Sequence, residues 1–156
     1  MVRALLWVVV SAALLVGAAT AAETKFSLSG TNTIITFVGT KADGKHDGGF
    51  RNLTGSATFD GADAGTLKIS VDIDVNSIYS DNQMLTNHLK SGDFFNVKSH
   101  PKAKFVSTKV EKNGDGYTVT GNLTLLGKTK PVTFPATIDA SSQGIKLAAS
   151  FSIDRT

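Results

Sequence analysis

Apolar and polar residues alternate along most of this chain, the spacing of strands with one dry face and one wet face. The alternation is cleanest in "TLKISVDIDV", where Leu67, Ile69, Val71, Ile73 and Val75 take one side. Lys68, Ser70, Asp72 and Asp74 take the other. It recurs in "YTVTGNLTL" (Tyr117, Val119, Leu123, Leu125), in "PVTFPATI" (Val132, Phe134, Ala136, Ile138) and in "GIKLAASFSID" (Ile145, Leu147, Ala149, Phe151, Ile153). Fainter runs are "KFSLS", "TIITFVGT", "LTGSATF" and "AKFVSTKV". In the last, Phe105 falls in one register and Val106 and Val110 in the other, which predicts a bulge. Turn signals separate the runs at "ADGK", "HDGG", "DGADAG", "KNGDG" and "LGKTKP". About eight short strands predict an antiparallel sandwich or barrel.

The period changes once. Ser80 and Gln83 have the spacing of a capping box, and Tyr79 and Met84 that of a hydrophobic staple. Lys90 falls near the carbonyl end of the predicted helix, where Gly92 can take a left-handed cap. Met84, Leu85 and Leu89 share a side, followed by a non-helical corner with Phe94, Phe95 and Val97. A helix of about ten residues is not stable alone, so it must lie on the sheet.

The amino terminus has a different character. "MVR" is basic, "ALLWVVVSAALLV" is apolar except for Ser11, and "GAATAA" supplies small residues. That order is the layout of a secretory signal peptide, and the run is short of the roughly 20 residues that span a bilayer. Residues 1–22 are therefore expected to be a cleaved leader and 23–156 a single exported domain, periplasmic or secreted. No cysteine follows the leader, which excludes a lipid anchor on that residue and any disulfide, so a folded domain depends on its own core.

Charge and chemistry narrow the function further. Without Arg3, 15 basic residues face 13 acidic ones, too even a balance for a nucleic-acid binder. Lys98, Lys102, Lys104, Lys109 and Lys112 read as a solvated strand face with edge-protecting lysines. Their functional version is a rim that meets anionic headgroups in transient contact with a membrane surface. His46, His88 and His100 match no metal-ligand spacing, no nucleophile elbow occurs, and no phosphate loop or dinucleotide fingerprint is present. No catalytic residue, metal or cofactor is assigned. The apolar faces remain. A small barrel can be filled by its side chains or hold one ligand. Ala103, Gly121, Ala136 and Ala149 either widen such an interior or seat the helix.

Three blocks, "LTNHLKSGDFFNVKSHPKAKFVSTKV", "VTGNLTLLGKTKPVTF" and "FSIDRT", resemble the signature blocks of the YceI-like, polyisoprenoid-binding proteins. "FVGTKADGKHDGGFRNLTGSATF" is similar to that family's amino-terminal block. The resemblance implies a lipocalin-like antiparallel β-barrel with one short helix between strands. It also implies an isoprenoid lipid or isoprenoid-quinone-like chain held in an apolar interior without catalysis. Taken with the strand alternation, it puts Leu67, Ile69, Val71, Ile73, Phe105, Val119, Leu123, Phe134, Ile138, Leu147 and Phe151 on the tunnel wall. Leu85, Leu89, Phe94 and Phe95 are expected at the helix-and-corner boundary. Leu126 stands where the family often has histidine. The family usually continues past Asp154 and Arg155, so the expectation is either a fragment or a barrel that lacks a closing strand and exposes an edge. The rival reading is a filled barrel that binds a protein or anionic surface through its lysine-rich strand.

Overall fold

The computed structural model describes residues 2–11 (main chain only), 22–41, 44–61, 63–141 and 143–153. The elements are β1 (Val2–Ser11), β2 (Glu23–Ser29), β3 (Thr33–Lys41), β4 (Gly44–Phe50), β5 (Leu53–Asp60), β6 (Lys68–Asp74) and β7 (Ile78–Ser80). They continue with α1 (Gln83–Lys90), β8 (Lys102–Asn113), β9 (Gly116–Leu125), β10 (Lys128–Ser141) and β11 (Gly144–Ile153). The strands form one sheet in the order β2-β5-β6-β8-β9-β10-β11-β1-β3-β4-β7, and every neighbouring pair is antiparallel. The sheet curls so that its alternating apolar face turns inward. Among the described residues β2 and β7 are its two edges. The expected antiparallel β-barrel with one short helix is the fold observed.

The pairing explains why the sequence pattern was so regular. Val71 lies opposite Phe105, and Ile73 opposite Ala103, between β6 and β8. Phe105 lies opposite Leu123 in turn, so one inward row crosses three strands. The bulge expected near Val106 is present as a register shift between Ser107 and Lys109. Its extra residue lets Phe105 and the buried Val110 both serve the interior.

Three features differ from the sequence-based expectation. "HDGG", expected as a turn, runs as part of β4. Its Gly48 is required by contact: a Cβ there would come within 2.4 Å of the Tyr79 carbonyl oxygen and 2.5 Å of the Phe37 ring. The helix cap is Asn82, whose side chain accepts from the Leu85 amide at 3.0 Å. Ser80 instead donates to the Asn82 carbonyl at 2.7 Å and pairs with Thr86 at 3.0 Å, and Met84 is 82% exposed and staples nothing. Gly92 does not take the left-handed cap; Asn96, at φ 42°, supplies the left-handed residue in the corner. There the amides of Phe95, Asn96 and Val97 bond the carbonyls of Leu89, Ser91 and Lys90, which drives Phe95 and Val97 into the core.

Val2–Ser11, whose residues read as a leader, runs between β11 and β3 as β1. The small-residue stretch 17–21 and the Asp154–Arg155 pair fall outside the described residues.

The β9–β10 connection is a two-residue hairpin, with Leu125 paired to Lys128. Its residues Leu126 and Gly127 have φ of 53° and 71°, as a type I′ turn requires. Glycine adopts that backbone freely, whereas leucine is strained there by roughly 1 kcal/mol. Leu126→Asn should therefore raise stability by roughly 0.5–1 kcal/mol, read as a later urea midpoint. An unchanged or earlier midpoint would mean that the leucine side chain contributes more than its backbone costs.

Candidate functional site

The interior is divided along its length. At one end its described side chains are deeply buried. Phe26 and Phe59 stack there at 5.7 Å, and Leu67, Ile69, Val110, Val119, Ile145 and Leu147 are all buried in the same core. Val119 is fully inaccessible. At the other end the inward rows diverge around a chamber of about 120 Å³. Its wall is formed by Ile35, Thr36, Phe37, Phe50, Val71, Ile73, Phe95, Ala103, Phe105, Leu123, Leu125, Val132, Phe134, Phe151 and Ile153.

Aromatic rings hold that wall in place. Phe134 stacks on Phe151 at 4.2 Å and 6°, and tilts against Phe105 at 5.6 Å. Phe50 links Phe37, at 6.0 Å, to Phe95, which meets it edge-on at 6.1 Å. Aromatic pairs of this kind add stability beyond their buried area, so the rings help to set the shape of an apolar wall.

The chamber opens sideways through the sheet. β10 and β11 pair from Ser141 and Gly144 as far as Ala136 and Ala149, where the ladder ends. Beyond that point a cleft of about 390 Å³ is lined by Leu123, Leu125, Leu126, Lys128, Lys130, Pro131, Val132, Thr133, Phe151, Ser152 and Ile153. Leu123, Leu125, Val132, Phe151 and Ile153 belong to both spaces. The cleft is therefore the vestibule of the chamber.

Of the residues expected on the tunnel wall, Val71, Ile73, Phe105, Leu123, Phe134 and Phe151 line the chamber, and so does the corner residue Phe95. Leu67, Ile69, Val119 and Leu147 do not. They are buried in the core away from that lining. Ile138 is half-buried on the same core, and Leu89 is buried on the inner side of α1, with Leu85 partly buried beside it. Phe94 packs edge-on against His88 at 4.8 Å, outside the chamber. Of the small residues, only Ala103 borders the chamber; the Phe105 ring fills the space over Gly121. Ile35, Phe37, Phe50, Leu125, Val132 and Ile153 were not singled out as site residues. Leu125, Val132 and Ile153 belong to the alternating rows already recognised, and their period continues into the wall.

Polar chemistry near the site is sparse. Among the described residues no three histidines, cysteines or carboxylates gather where they could hold a metal. His46 Nδ1 lies 2.9 Å from Asp81 Oδ1, and the Asp47 amide donates to Asp81 Oδ2 at 3.2 Å. The pair fastens β4 to the residue after β7, on the outer surface. The His46 hydrogen bond, helped by that amide, holds the Asp81 carboxyl below the ordinary carboxylate range. A depressed carboxyl stabilises the fold above its unfolded pKa and loses that contribution as pH falls through its folded value. Wild type and Asp81→Asn should therefore differ in urea midpoint at neutral pH and converge in acid; a constant gap would refute the assignment.

On the lysine-rich strand, Lys104 lies 3.6 Å from Asp72 and Lys109 2.7 Å from Glu111, all in exposed or half-exposed positions. Pairs of this kind contribute little stability, and they give the strand a balanced outer face.

A curled antiparallel sheet that wraps a phenylalanine-walled chamber, with one short helix packed against β7, defines a barrel-type β fold. Residues 23–156 match the YceI-like domain, and the chain belongs to the YceI-like family. A UPF0312 protein of Pectobacterium carotovorum is 40% identical over 126 residues, covering 77% of this chain and 63% of the relative. One from Yersinia enterocolitica is 42% identical over 123 residues, covering 75% and 62%. The chain thus spans less than two thirds of the length of these relatives. Among solved structures, the Campylobacter jejuni YCEI protein superposes with a TM-score of 0.62 at 31% identity, over 69% of this chain and 67% of that one. Burkholderia cenocepacia BcnA superposes with a TM-score of 0.64 at 22% identity, over 75% and 93%; that likeness concerns the fold alone.

Proposed function

We propose that this protein is an exported, non-catalytic lipid carrier that holds the end of an isoprenoid or isoprenoid-quinone-like chain in the chamber. The single observation behind this reading is a wall built almost wholly of aliphatic and aromatic side chains, open to a larger vestibule. An engineered apolar cavity of about 150 Å³ stays dry and takes up benzene. A chamber of about 120 Å³ is therefore suited to the terminal unit of a branched chain. The remainder of the chain lies in the vestibule. Each methylene that leaves water contributes about 0.8 kcal/mol, and the described lining residues offer no constellation that would transform the ligand.

Export rests on the basic, apolar and small-residue order of residues 1–22, and cleavage after them removes β1 from between β11 and β3. Intact mass of the protein recovered from a bacterial periplasm should correspond to a chain beginning near Glu23; recovery of full-length protein in the cytosol would refute it. The carrier reading is tested by extracting protein purified from a bacterial host with organic solvent and analysing the extract by mass spectrometry. A long-chain isoprenoid in stoichiometric amount is expected. A lipid-free extract would overturn the carrier and favour the lysine-rich strand as a binding surface.

A further inference from the structure

We infer that folding of the precursor withholds its own export signal. Residues 2–11, within the leader, are held as an interior strand between β11 and β3, and the leader is available only while the domain is unfolded. The leader's part in this rests on the export reading above.

The grip is two-sided. Every residue of β1 is in register with β11, from Val2 opposite Ile153 to Ser11 opposite Gly144. Val2 to Val8 are also in register with β3, opposite Gly39 to Thr33. Both ladders are antiparallel, so over that stretch the main-chain N–H and C=O groups have partner strands on either side. A strand in this position leaves the sheet only by breaking both ladders.

Those ladders also join the sheet together. In the strand order, β1 stands between β2-β5-β6-β8-β9-β10-β11 on one side and β3-β4-β7 on the other. Among the described residues no other ladder connects the two parts. Each part carries some of the chamber wall, with Ile35, Phe37 and Phe50 on the smaller and Phe134, Phe151 and Ile153 on the larger. Release of β1 is therefore coupled to the integrity of the domain.

The register explains why a leader can serve as such a strand. Residues opposite one another in a ladder share a face of the sheet. Positions 4, 6 and 8 lie opposite Phe151, Ala149 and Leu147 on β11, and opposite Phe37, Ile35 and Thr33 on β3. Leu147, Ala149, Phe37 and Thr33 are buried, and Ile35 and Phe151 border the chamber. An interior strand has to be apolar at those positions, and the sequence has Ala4, Leu6 and Val8 there. A short apolar run is the pattern of a strand enclosed by neighbours and equally of a leader's apolar region. The same residues cannot lie in the sheet and in a membrane-bound signal peptidase at once, so the two uses exclude each other.

The full-length chain provides the test, because Trp7 is its one tryptophan and tryptophan emission reports on the leader alone. In a urea titration of the precursor, that emission and the far-ultraviolet circular dichroism should change in coincident transitions. Amide exchange at residues 3–8 of the folded precursor should be slowed about 100-fold or more, as at their β11 partners. Signal peptidase should cut the folded precursor at least about tenfold more slowly than a Val119→Asp precursor, whose leader is unaltered and whose core cannot form. Free exchange at residues 3–8, or tryptophan emission that stays flat through the domain's transition, would overturn the inference and leave the exported carrier standing. Equal cleavage of the folded and Val119→Asp precursors would overturn the withholding of the signal. A protected strand in a chain that is never exported, even as Val119→Asp, would overturn the export reading and leave β1 as a permanent part of the sheet.

Discussion

Phe134→Ala is expected to destabilise the fold by about 3–5 kcal/mol, the range for truncating a core aromatic. Phe134 is only 4% exposed and stands between two other rings, stacked on Phe151 and tilted on Phe105. Its neighbours cannot collapse into the space, because the side facing the barrel axis is already a void of about 120 Å³. Removing the ring enlarges that void and strips two aromatic partners of their contacts at once. In a domain of ordinary stability, this is a large part of the total. The urea midpoint and the melting temperature should both fall, the latter by on the order of 10 °C. Phe151→Ala, at the half-exposed rim, should cost clearly less. A Phe134 variant within about 1.5 kcal/mol of wild type would show that the rings do not set the wall.

Ala103→Phe is expected to empty the protein of lipid while leaving it folded. Ala103 is 3% exposed, faces Ile73 across the β6–β8 ladder and borders the chamber. A phenyl group at this position occupies the space in which the ligand's end would lie. Overpacking a tight core usually costs about 1–3 kcal/mol, but here the added ring enters empty volume, so the stability change should be at the low end. The ligand loses more. Expelling one five-carbon unit removes about 3–4 kcal/mol of apolar transfer, a factor of several hundred in affinity. Organic extracts of the variant should then lack the lipid present in wild type, at nearly equal melting temperature. Retention of the full lipid complement would place the tail somewhere other than this chamber.

The sequence carried the fold in its alternation, since Leu67 through Val75 and Ile145 through Ile153 can satisfy a period of two only by pairing with one face inward. It also carried the bulge, because Phe105 and Val110 cannot share a face without an extra residue between them. What it lacked was depth along the barrel axis. Ile69 and Ile73 occupy the same row of β6 and look equivalent in the chain, yet one is sealed among core side chains and the other borders a void. That difference arises from where β10 and β11 part company, a property of two strands that no local pattern encodes. Phe50 was hidden for another reason. It follows two glycines that read as a turn, and only the closeness of Phe37 and Tyr79 to Gly48 shows why a strand needs them. Asn82 was passed over as a cap because Ser80 offered the more familiar spacing.

The deeply buried end of the barrel, around Phe26, Phe59 and Val119, has a bearing on traffic. On the proposed carrier reading, cargo that enters beside the β9–β10 hairpin goes in tail-first, towards the buried Phe26 and Phe59. The chemically distinctive head is then presented outward throughout transit, within reach of a recipient that can seize it without prising the protein open. Unloading becomes a contest between the grip on the tail and the pull on the head, decided at the hairpin rim.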